Sequence, residues 1–159
     1  MVTTLKVFQN PFWAQKNKQK RVNLTFLSIF TSDSHLPFLE CLSYSELTNV
    51  ERRLTAAIDV SLCDVHSLVP GWFRFHGDAG TKMPTFCPPR RSCGTHVPGW
   101  LNGAHPTMAE GQVTRQVCFH WDYGCCQWTI NIQVRNCHSY YVYYLIKAPT
   151  CHLVNCGTD

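Results

Sequence analysis

The chain has 159 residues, a formal net charge of +4 and 10 Cys. That length suits one domain, or one domain with an extension, and is enough to bury a core of its own. Every cysteine lies between Cys41 and Cys156, a density that argues against a reducing compartment and fits small secreted scaffolds stapled by disulfides.

The charge is unevenly placed. Residues 1–40 carry Lys6, Lys16, Lys18, Lys20 and Arg21 against Asp33 and Glu40, while the remainder is nearly balanced. The cysteine-rich part therefore lacks the basic stripe of a nucleic-acid binder. Arg90 and Arg91 are its one dense basic pair near aromatics, and they read as a solvated turn.

Residues 1–40 show neither a helical face nor sustained alternation and read as a poorly ordered extension or a degenerate signal region. The best leader candidate is residues 22–30, after the basic cluster at 16–21. Asn23, Thr25 and Ser28 interrupt it, and no small-x-small cleavage site follows. An alternative start, or a piece of a longer protein, is the favoured reading. No apolar run reaches the ~18 residues needed to span a bilayer. The sole glycosylation sequon, Asn23-Leu24-Thr25, lies in this region.

Beyond Cys41, residues 43–58 carry a weak helical spacing at Leu47, Val50, Leu54 and Ile58, with which turn structure competes. After the Pro70-Gly71 breaker, Trp72-Phe73-Arg74-Phe75-His76 predicts a short strand ended by Gly77. Residues 77–112 are rich in Gly and Pro and predict long irregular loops, which cross-links at Cys87 and Cys93 would help to order.

A sustained period of two follows. Val113, Arg115, Val117 and Phe119 alternate with Thr114, Gln116, Cys118 and His120. Asp122-Tyr123-Gly124 makes a turn. Cys126, Trp128, Ile130, Ile132 and Val134 then share one strand face, with Gln127, Thr129, Asn131, Gln133 and Arg135 on the other. This predicts a half-buried antiparallel hairpin over residues 113–137. Residues 140–146 predict a third strand from their aromatic and β-branched content.

The residues offer little catalytic chemistry. No Gly-x-Ser-x-Gly elbow, dinucleotide fingerprint or phosphate loop occurs, and the acidic residues are scattered with no close pair to divide acid and base roles. No cofactor is implied. Cys63 with His66 and Cys93 with His96 form two Cys-x-x-His pairs, so an intracellular zinc site is the alternative reading. It would leave the other cysteines unexplained. Cys125 and Cys126 are neighbours on a strand and so point to opposite faces. One can turn inward with Trp128 while the other bridges a different element. The connectivity is open.

Recognition by aromatic side chains remains. Trp72 and Trp128, on strand faces, read as core, and Trp100 is balanced between core and surface. The candidate binding surface is Trp100, Asn102, His105 and Trp121.

Several of these stretches together resemble a known family. They are Gly71-Trp72-Phe73-Arg74-Phe75, Gly77 to Gly80, Met83-Pro84 with Cys87, Cys93-Gly94-Thr95-His96, and Trp100-Leu101-Asn102-Gly103 with His105-Pro106. Further along come Cys118 with His120-Trp121, Cys125-Cys126 with Trp128, Val134 with Cys137, Tyr141-Val142-Tyr143, Cys151 and Cys156. The pattern resembles the eight-cysteine module of uromodulin-like glycoproteins and places the module at residues 41–157. The resemblance implies five disulfides among Cys41, Cys63, Cys87, Cys93, Cys118, Cys125, Cys126, Cys137, Cys151 and Cys156. It also implies a secreted or cell-surface, non-catalytic protein whose partner is an extracellular protein or glycan. Where some members carry a glycan at Asn-Gly-Thr, this chain has Asn102-Gly103-Ala104 and no acceptor. The expected fold is all-β and disulfide-rich, with an antiparallel hairpin core and long stapled loops.

Overall fold

The computed structural model describes residues 38–58 and 62–159. The part of the predicted extension before Phe38 lies outside them. Seven strands form one sheet: β1 (Ser45–Leu47), β2 (Gly71–Phe75), β3 (Val97–Asn102), β4 (Gln112–Trp121), β5 (Gly124–Asn136), β6 (Tyr141–Leu145) and β7 (Leu153–Asn155). Their order is β1-β2-β6-β5-β4-β3-β7. The central pairings are antiparallel, whereas β1 on β2 and β7 on β3 are parallel. The fold is a small, disulfide-rich, all-β domain.

The predicted hairpin is its centre. β4 and β5 pair from Gln112↔Arg135 to Phe119↔Trp128, and Asp122-Tyr123 turns the chain. Gly124 sits at φ 145, a backbone region that glycine adopts at least cost. The predicted third strand is β6, beside β5, and β2 lies beyond it. Val117, Phe119, Ile132, Val134, Tyr143 and Leu145 share the buried face with Phe75 and Leu101. No second sheet covers that face among the described residues. Leu68, Ala79, Met83 and Ala148, from the connecting segments, complete the core.

Four expectations are corrected. The helical spacing in residues 43–58 gives β1 and a single 3-10 turn, Val50–Arg52. Leu47 is buried because β1 pairs with β2, not because a helical stripe turns inward. The loops expected at 77–112 contain β3, which lies between β4 and the edge strand β7. Pro98 and Gly99 hide it in the sequence. Pairing with β4 begins at Gly99↔Phe119, just past the proline, and the Phe119 ring packs over Gly99. A Cβ there would lie 2.6 Å from that ring.

Cys126 does not continue the buried face of Trp128. A register shift between Phe119 and Trp121 interrupts the alternation, and both Cys125 and Cys126 are exposed. Trp72, read as core, lies on the opposite sheet face, edge-on to Tyr144 at 5.5 Å between ring centroids. Its strand neighbour Phe73 takes the core side.

All ten cysteines are paired: Cys41–Cys137, Cys63–Cys151, Cys87–Cys125, Cys93–Cys156 and Cys118–Cys126. A buried ion pair adds a polar staple. Arg52 donates to both oxygens of Asp64, at 2.6 and 3.2 Å. Asp64 also accepts from the Asn155 backbone N–H at 2.8 Å and from its side-chain amide at 2.9 Å. This ties the 3-10 turn, the short helix Asp64–Ser67 and β7 together.

Candidate ligand-binding surfaces

Strand alternation divides the four candidate residues. Leu101 pairs with Val117 on the buried face, so Trp100 and Asn102 project from the other. Trp100 is half-buried, and its Nε1–H donates to the Cys125 carbonyl at 2.8 Å. The exposed Asn102 side chain donates to Gln116 Oε1 at 2.9 Å. Further out on this face, Gln133 donates to Thr114 at 3.0 Å. The result is an uncharged row of amides and hydroxyls, with Trp100 at one end and Trp72 with Tyr144 at the other.

His105 belongs to the interior side. Its ring lies 4.3 Å from that of Tyr141, and Nε2 is 2.8 Å from the Tyr143 hydroxyl. That hydroxyl accepts from the Met83 backbone N–H at 3.1 Å. With Nε2 unprotonated, a neutral imidazole accepts a hydrogen bond from the phenol, so the direction of this bond follows the His105 tautomer. Burial is the main reason the His105 pKa falls to about 4, with the cations of Lys82 and Arg115 adding to it. Burial likewise pushes the Tyr143 phenol upward.

Trp121 is half-buried against the core at the end of β4. It lines a cleft of about 210 Å³ with Arg90, Arg91, His96 and Asp122. The sequence alone reads this arginine pair as a solvated turn. Both arginines are indeed exposed in a turn; the fold sets that turn beside the Trp121 ring, and Arg90 forms an ion pair with Asp122. No local sequence signal marks this cleft, because its parts come from two segments joined by pairing of Cys87 with Cys125.

The two Cys-x-x-His pairs do not make one metal centre. Cys63 is bonded to Cys151 and Cys93 to Cys156. His66 approaches the first of these bridges, and His120 approaches Cys87–Cys125. A sulfur in a disulfide is not the thiolate a metal binds. Among the described residues no cysteine is free, and no helix is long and apolar enough to cross a membrane.

Comparison with known proteins supplies the family. The uromodulin-like domain family matches residues 73–157. Over 117 residues, 73% of this chain and 18% of the relative, the chain is 40% identical to uromodulin of Mus musculus. It is 41% identical to the pancreatic secretory granule membrane major glycoprotein GP2 of Canis lupus familiaris over 117 residues, 73% of this chain and 23% of that protein. The Rattus norvegicus glycoprotein of that name is 35% identical over 130 residues, 79% of this chain and 24% of its own length. The chain thus spans about a fifth to a quarter of these relatives. With the matched domain covering more than half of the chain, and with the pairing of its cysteines on a single sheet, this protein belongs to the uromodulin-like cysteine-rich domain family.

Proposed function

We propose that residues 41–157 are a non-catalytic, extracellular interaction module of a uromodulin-like glycoprotein, carried in a longer multidomain protein and preceded by an extension or leader. The observation that carries this reading is the pairing of all ten cysteines in five bridges, which needs an oxidising compartment. Similarity to relatives named as glycoproteins supports a secreted or cell-surface location. The partner is an extracellular protein or glycan. Trp100 and Asn102 on the outer sheet face, and Trp121 in the cleft, are the side chains offered to it. His105 contributes by holding the loop against Tyr141 and Tyr143.

A thiol count tests this. The chain, expressed through a secretory route, is alkylated natively and after denaturation without reductant, then weighed. No alkylated cysteine is the expected result. Several free thiols, with zinc released on denaturation, would replace this reading with an intracellular metal-binding one.

A further inference from the structure

We propose that the cleft between Arg90, Arg91, His96 and Trp121 binds the anionic terminal sugar of an acidic glycan. The inference rests on the extracellular-module reading and names a ligand class for one of its surfaces.

The argument begins with the charges. Arg90 is held by Asp122, whereas Arg91 makes no ion pair among the described residues. The cleft therefore keeps one uncompensated guanidinium beside an aromatic ring and an imidazole. A guanidinium fork matches the two oxygens of a carboxylate, or two of a sulfate. The Trp121 ring offers an apolar wall for the C–H face of a sugar. At about 210 Å³ the cleft is smaller than the ~300–1,000 Å³ pockets that enclose drug-sized ligands. It accepts a single terminal group.

The site is also preorganised. Residues 87–96 are clamped near both ends, by Cys87–Cys125 to the hairpin tip and by Cys93–Cys156 to the segment after β7. Pro88 and Pro89 stiffen the approach. Arg91 stands at φ 65 and Cys93 at φ 58, conformations that non-glycine residues seldom adopt. Such strain persists only where the surroundings impose it, and it clusters at ligand sites. Ser92 donates to the Pro89 carbonyl, and the Arg91 backbone N–H donates to that of His96 at 3.4 Å. Holding the backbone of the arginine loop before the ligand arrives lowers the ordering cost of binding, although the Arg91 side chain itself is ordered only by the ligand.

The test uses the full chain secreted in oxidised form, with its thiols counted in the same preparation. It is titrated by NMR with lactose, 3′-sialyllactose and lactose 3′-sulfate. At least one acidic sugar is expected to bind tenfold or more tighter than lactose, and which one does so identifies carboxylate or sulfate. Arg91→Ala is expected to abolish that preference while leaving the thermal midpoint unchanged. Equal binding of neutral and acidic sugars, no binding at millimolar concentration, or an unaffected Arg91→Ala variant would overturn the proposal. So would equally tight binding of hexaglutamate, which would assign the cleft to acidic peptides. Five disulfides without an acidic-sugar preference would sink the cleft alone. Free thiols would sink the module reading with it, because both clamps of the arginine loop would be missing.

Discussion

Asp64 illustrates how much a single buried side chain decides here. It is fully buried, accepts a two-pronged contact from Arg52, and receives two more hydrogen bonds from Asn155. Removing one partner of a buried pair strands the other, which costs ~3–5 kcal/mol. Asp64→Ala is expected to lower the unfolding free energy from urea titration by that order, and a loss under about 1 kcal/mol would contradict the account. His105 gives a pH dependence. Its folded pKa is about 4 and its ordinary value is 6.5. As pH falls through this window the unfolded chain takes the proton first, so stability declines between about 6.5 and 4 and is flat above. The histidine is partly exposed, so the loss is on the order of 1 kcal/mol after allowance for solvent screening. Thermal midpoints from pH 7.5 to 4.5 should fall more for the native chain than for His105→Gln. Parallel curves would rule out this role for His105.

The sheet elements owe different amounts to their own sequences and to their cross-links. β4 and β5 alternate from Gln112↔Arg135 to Phe119↔Trp128 and lose that register only near the hairpin tip. β1 and β7 have three residues each and rely on covalent and polar ties nearby. Cys41–Cys137 fastens the short helix Leu39–Leu42 to the end of β5, where Glu40 also pairs with Arg135 and the Tyr140 hydroxyl donates to the Cys41 carbonyl at 2.6 Å. Cys118–Cys126 instead links two strands already joined by a hairpin. The bridges close separations of 96 and 8 residues. The chain-entropy relation gives about 4.7 kcal/mol for the first and about 2.5 kcal/mol for the second. Replacing both cysteines by alanine should therefore cost more at Cys41 and Cys137 than at Cys118 and Cys126. Equal changes in denaturation midpoint would show that loop closure is not the main term.

At the scale of the whole molecule, five bridges compensate for a core that is a single sheet covered by loops. Each is worth ~2–5 kcal/mol against a total stability of ~5–15 kcal/mol. Full reduction is expected to unfold the module, read as loss of its circular dichroism and its cooperative thermal transition. A reduced chain that kept both would show that the sheet stands without its staples.

Local pattern carried the part of the fold that was legible residue by residue. The period of two over residues 113–136 specified the hairpin, because alternation needs no information from elsewhere in the chain. The run at 141–145 was legible from its aromatic and β-branched content, and the segment 71–75 from its place between the Pro70-Gly71 breaker and Gly77. The cysteine spacing carried the family. Long-range contacts set the remaining features. β3 is held as a strand between β4 and β7, with the Phe119 ring packed over Gly99. The face of Trp72 followed from its pairing with Tyr144, and the exposure of Cys126 from a register shift. Trp100 and Trp121 went to different surfaces, and Arg90 and Arg91 reached Trp121 through a bridge spanning 38 residues. Periodicity reports which residues share a face, but not which distant segment that face will meet. That meeting is set by long-range pairing and disulfide closure.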